Sequence, residues 1–101
     1  MKLLLVTSVE EFHNDIIQMF KDAKIENFSE SDIGGHKKNS SVLVSTNWFA
    51  AEKSGTQSNL FFSFTEDEKI ETLFQLLREY NSNLETNNPI KAVVLPIEKH
   101  L

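Results

Sequence analysis

Three histidines, fifteen carboxylates and no cysteine are what this chain offers for chemistry. Imidazoles and carboxylates suit two tasks: holding a divalent metal, or moving protons as general acid and base. Spacing decides how far either goes. His13 lies in an amphipathic run, and its same-face positions hold Ile16 and Ile17 rather than a second ligand, so it reads as a solvated helix residue. His36 follows Gly34-Gly35, and His100 sits beside Glu98 in the C-terminal tail. A transition-metal site needs three or four converging ligands. Only His36 with Asp32 or Glu30, completed by a neighbouring subunit's His100, assembles such a set. The acidic residues Glu10, Glu11, Glu66, Asp67 and Glu68 are accounted for by helix starts, where the dipole favours negative charge. Without cysteine there is no disulfide, thiolate nucleophile or Cys-ligated zinc, and no Ser-His-Asp, phosphate-loop or dinucleotide fingerprint occurs. The expectation is a protein that is not an enzyme.

The elements that must position these residues come as a repeat. Leu3-Leu4-Leu5-Val6-Thr7-Ser8-Val9-Glu10-Glu11 leads into Ile16-Ile17-Gln18-Met19-Phe20. Fifty-seven residues on, Leu60-Phe61-Phe62-Ser63-Phe64-Thr65-Glu66-Asp67-Glu68 leads into Leu73-Phe74-Gln75-Leu76-Leu77. Both runs read strand, then a capping box (Ser8 with Glu11, Thr65 with Glu68), then helix. Steps of three and four give the buried stripes Phe12, Ile16, Met19, Phe20, Ala23 and Ile70, Leu73, Phe74, Leu77, Tyr80. Ile25 to Ile33 resumes extended structure until Gly34-Gly35 breaks it, and the next strand spans 59–64. After the Asn-rich connection Asn81 to Pro89, Ile90 to Ile97 is a final strand, with Pro96 marking its end or a sheet edge.

Two β-α-β units of this kind predict one α+β domain over 1–101. The architecture is the ferredoxin-like split βαβ sandwich, a four-stranded antiparallel sheet with both helices on one face. Leu3 to Val6, Leu60 to Phe62 with Phe64, and Ala92 to Leu95 are apolar at successive positions, so both sheet faces read as buried. Two helices cover one. The other is expected to meet a copy of the chain, since large apolar patches are rare on monomers; alternatively, strand ends and the 36–58 segment cover it.

That segment is far longer than the two to five residues a hairpin needs. It carries Lys37, Lys38 and Lys53 against Glu52, a net +2 on a body of −7, and the only tryptophan, Trp48. Val42-Leu43-Val44 and Trp48-Phe49 are too apolar for plain disorder, so the segment reads as a hairpin extension in part. Gly35, His36, Lys37, Lys38, Trp48 and Lys53 are its candidate ligand- or partner-binding residues. Packing of Trp48 and Phe49 onto the core or a neighbouring subunit is the competing account.

Met1-Lys2-Leu3-Leu4 opening a strand, Phe28-Ser29-Glu30-Ser31-Asp32-Ile33-Gly34-Gly35 leading into a long connection, and the length of that connection resemble the PII-like signalling family (nitrogen regulatory protein P-II). Ser-Asp-Ile-x-Gly is similar to the Thr-Glu-Val-x-Gly that precedes the T-loop there. The resemblance implies a ferredoxin-like homotrimer acting through its β2–β3 loop on a protein partner, such as a membrane transporter, or on a small ligand. Asn81-Ser82-Asn83-Leu84-Glu85-Thr86-Asn87-Asn88-Pro89 departs from the family, having neither the glycines nor the basic residue that cradle nucleotide phosphate. This argues against ATP sensing, and the sequence names no cofactor. CutA-type divalent-metal tolerance proteins are the alternative, though their cysteine and aromatic loop motifs are missing. Acylphosphatases share the fold, but the only arginine here is Arg78, inside the second helix.

Composition sets the remaining bounds. A net charge of −5 argues against nucleic acid, which needs clustered Lys and Arg. The apolar run at Leu3 to Val6 is shorter than the 7 or so residues of a signal-peptide core, and Glu10-Glu11 follow it. No run approaches the roughly 18 apolar residues of a membrane span. A cytoplasmic protein without membrane insertion is expected.

Overall fold

The computed structural model describes residues 1–36, 56–85 and 88–101. Strand β1 runs Lys2–Val9, a 3₁₀ turn covers Glu10–Phe12, and helix α1 spans His13–Asp22. Strand β2 is Ser29–Gly35, β3 is Thr56–Thr65, helix α2 is Asp67–Ser82 and β4 is Lys91–Pro96. The repeat is thus real at the level of structure: β1-α1-β2 and β3-α2-β4 are two copies of one unit. They interlock in a sheet of order β2-β3-β1-β4, antiparallel at every contact, so each unit's first strand is central and its second an edge. This is the ferredoxin-like split βαβ arrangement with its two helices.

Both helices pack on the face that carries Leu4, Val6 and Phe61. These join Phe12, Ile16, Met19, Phe20 and Ala23 of the first helical segment with Leu73 and Leu77 of α2 in one core. Half-buried Phe28 packs against Phe20 and Phe61 of this core, the three ring centroids lying 4.7 to 6.3 Å apart. In the second stripe Ile70, Leu73 and Leu77 are buried, whereas Phe74 and Tyr80 are half-buried at its margin. The opposite face is lined by Leu3, Leu5, Leu60, Phe62, Phe64, Val93 and Leu95. Register explains the grouping, since Leu3 stands between Phe64 and Leu95, and Leu5 between Phe62 and Val93. Phe64 remains 56% exposed and Leu95 42%.

Several local expectations fail for identifiable reasons. Neither capping box forms. Val9 caps the 3₁₀ turn and Glu66 caps α2, both without a side-chain bond. Ser8, still inside β1, gives its hydroxyl to the Val9 carbonyl, and Thr65 is the last residue of β3. The strands simply run further than the polar residues suggested. Gly34-Gly35 does not break β2 either: the pair stays in the ladder opposite Gln57 and Thr56. Consequently β3 starts at Thr56, and residues 56–58 belong to the sheet rather than to the connection.

The exit from α1 uses a residue that gave no warning. Lys24 adopts φ 64°, the left-handed conformation usual for glycine after a helix. The Lys24 amide bonds the Lys21 carbonyl at 3.0 Å, and the Ile25 amide bonds that of Phe20 at 2.9 Å. This doubly bonded helix end turns Ile25 into the core, where it is 2% exposed. At the other end of the fold, Asn81 clamps the start of β4. Its side-chain amide donates to the Ile90 carbonyl and its oxygen accepts from the Ile90 amide, each at 2.9 Å.

Candidate functional site

Of the residues expected to bind a ligand or partner, two fall in the described part. Gly35 is buried at the end of β2, and His36 follows it, exposed. Lys37, Lys38, Trp48 and Lys53 lie outside the described residues, as do Val42-Leu43-Val44 and Phe49. What the fold fixes is where their connection is rooted. Gly35 pairs with Thr56, so the chain leaves and rejoins the sheet at adjacent positions on its β2 side.

A second constellation, absent from the sequence reading, lies near that root. It is a cleft of about 540 Å³ between the start of α1 and the edge strand β2, lined by Glu10, Glu11, His13, Glu30, Asp32 and Asn59 with neighbouring polar residues. Glu30 and Asp32 are two apart on β2 and therefore share one face of the strand. Register then puts Glu30 beside Phe61 and Asp32 beside Asn59. His13 in the first turn of α1 lies over Phe61, ring centroids 5.6 Å apart, and its Nε2 meets the Glu30 carboxylate. His13 is therefore not the solvated helix residue expected. Its Nδ1 faces the Asn14 side-chain oxygen at 3.2 Å. With the Glu30 carboxylate and the Asn14 oxygen as acceptors, the charged imidazolium can donate from both ring nitrogens. The hydrogen bond to Glu30 raises the His13 pKa above its ordinary value, Asn14 and the charges of Glu30 and Asp32 add to it, and desolvation opposes it.

Asn59 forms the floor. It is 2% exposed, and its amide nitrogen donates to Asp32 Oδ1 at 3.0 Å while its own Oδ1 is buried with no hydrogen-bond partner among the described residues. The set built on His36 needs a neighbouring subunit's His100, and within one chain its carboxylates have other partners. Glu30 is committed to another histidine, Asp32 to Asn59, and His100 lies exposed in the tail. Among the described residues no three His, Asp or Glu side chains stand together closely enough to hold a metal ion. No single local signal flags this cleft: only the i, i+2 spacing of Glu30 and Asp32 is visible in the sequence, and the partners come from α1 and β3.

Comparison with known proteins speaks to the fold. No family model matches the chain, and no curated protein matches it in sequence. Among solved structures, a crystal structure of a DUF3240 family protein from Shewanella baltica OS155 superposes with a TM-score of 0.66 over 98% of this chain and 91% of that one, at 14% identity. At that identity the similarity establishes a shared α+β fold. No helix among the described residues is long and apolar enough to cross a membrane.

Proposed function

We propose that this chain is a non-enzymatic regulatory module of PII-like type that works as a homo-oligomer, a trimer by resemblance. It presents the 36–58 connection to a protein partner, such as a membrane transporter, or to a small ligand. The observation that carries the reading is the second sheet face. Leu3, Leu5, Leu60, Phe62, Phe64, Val93 and Leu95 form a continuous apolar surface on the side away from both helices. Monomeric proteins seldom leave such a surface in water, and assembly on it brings the β2-side connections of several copies into one array. The similarity to a structure of the same fold supports the architecture this requires. The 81–89 connection contains no glycine, lysine or arginine, so ATP and ADP are expected to bind weakly or not at all.

Light scattering at micromolar concentration tests the assembly, and calorimetric titration with adenine nucleotides and divalent metals tests the ligand. A monomer at every concentration would remove the assembly, and micromolar nucleotide affinity would make the protein a nucleotide sensor despite its altered connection.

A further inference from the structure

We infer that His13 and Glu30 form a proton-operated latch that fastens the edge strand β2 to the start of α1, closed while the His13 ring is charged and loosened when it is neutral. The device works within a single protomer and stands whether or not the apolar face assembles. β2 needs such a fastening. Among the described strands its only hydrogen-bonded neighbour is β3. Of its seven residues only Ile33 and Gly35 are withdrawn from water, Ile33 by half. The strand therefore keeps its place with little apolar burial of its own. Polar side chains join it to other elements instead, Glu30 to His13 and Asp32 to Asn59. An edge strand of this kind lies at the low end of local stability, because few buried contacts oppose its opening.

His13 is placed to hold it. α1 is anchored in the core by Ile16, Met19 and Phe20, and the His13 ring lies against fully buried Phe61, centroids 5.6 Å apart. The groups around the ring set its response. Its own segment presents Glu10, Glu11 and the Asn14 oxygen, β2 presents Glu30 and Asp32, and β3 presents uncharged Phe61 and Asn59. Among the described residues no lysine or arginine lines the cleft. Charged His13 thus offsets these carboxylates, and neutral His13 leaves them facing one another. The neutral ring still has one N–H to give Glu30, so the latch weakens rather than vanishes, losing the charge on its donor. The Glu30 hydrogen bond, the largest cause, raises the His13 pKa above its ordinary value. The latch therefore contributes fully below about pH 6.5, where an unfolded histidine titrates, and drains as pH rises through the higher folded value. Because the 36–58 connection departs from β2, its footing becomes sensitive to pH in that window.

Hydrogen exchange on the ¹⁵N-labelled full chain tests this, read as protection factors so that the intrinsic pH dependence of exchange is removed. Between pH 6 and pH 8.5 the β2 amides that face β3 should lose protection about two- to fivefold, the scale of one ion pair whose side chains are 30% and 43% exposed. The Leu4 and Val6 amides of central β1 should keep theirs. The midpoint should coincide with the His13 imidazole titration followed by proton NMR, and that titration should move to lower pH in Glu30→Gln. His13→Gln should make β2 protection independent of pH, and His13→Lys, charged throughout, should hold it at its pH 6 level. A His13 midpoint at or below that of a free imidazole, β2 protection equal at both ends of the range, an equal loss in β1, or a pH dependence surviving in His13→Gln would each overturn the inference.

Discussion

Phe61 and Phe64 stand three residues apart on one strand and should fail in opposite ways when removed. Phe61 is fully buried on the helix-covered face, against Phe20 and Phe28. Phe61→Ala empties that site and should cost about 3–5 kcal/mol of folding stability. Phe64 projects from the other face, 56% in water. Taking about 200 Å² for a phenylalanine, that leaves roughly 110 Å² to cover, worth about 3 kcal/mol per protomer at ~25 cal/mol per Å². Phe64→Ser should therefore weaken each association step about 100-fold. Its effect on the isolated protomer should stay near the ±0.5 kcal/mol or so of ordinary surface changes. Sedimentation velocity over a dilution series reads the first quantity, and urea unfolding at the lowest concentration reads the second, since association inflates apparent stability at higher ones. If Phe64→Ser sediments as the parent does throughout, or loses as much folding stability as Phe61→Ala, the apolar face is not an assembly surface.

Three further outcomes follow from local geometry. Lys24→Gly should stabilise the fold by about 1 kcal/mol in urea titration, because the left-handed position costs a lysine more than a glycine. Asn81→Ala should lose about 1–3 kcal/mol by orphaning both backbone groups of Ile90, which is only 4% exposed, and hydrogen exchange should localise the loss to the start of β4. Tyr80 ionises only near pH 12, held up first by burial and then by its 2.5 Å hydrogen bond to Asp15. An unfolded tyrosine ionises near about pH 10, so the stability tied to Tyr80 is intact below that point and drains as pH rises towards 12. The slope of stability against pH in that range should flatten in Tyr80→Phe.

How much of this was legible in the chain depends on the range over which each feature is determined. Helix stripes and strand runs repeat within a few residues, so Ile16, Met19 and Phe20, or Leu73 and Leu77, declare their face directly. The doubled β-α-β order then leaves few topologies, and in the observed order β2-β3-β1-β4 the two first strands lie side by side at the centre. Boundaries were less readable because strand pairing competes with local polar signals and prevails. Ser8 and Thr65 look like caps, yet each is held in the β1–β3 ladder, opposite Asn59 and Lys2. Gly34 and Gly35 look like a break, yet β3 supplies them with partners.

The cleft shows the other limit. His13 and Glu30 are 17 residues apart, and Asp32 and Asn59 are 27 apart. Neither pairing leaves a motif, because each exists only once β2 has chosen its register on β3 and α1 has settled over Phe61. A one-residue slip of β2 would turn Glu30 and Asp32 to the opposite face and abolish both contacts. The contacts of half-buried Phe28 with Phe20 and Phe61 resist that slip, since Phe28 immediately precedes β2 and packs against the core cluster. Packing just before the strand therefore fixes the polar chemistry along it. A histidine that is unremarkable within its own helix comes to line the cleft through a phenylalanine it does not adjoin in sequence.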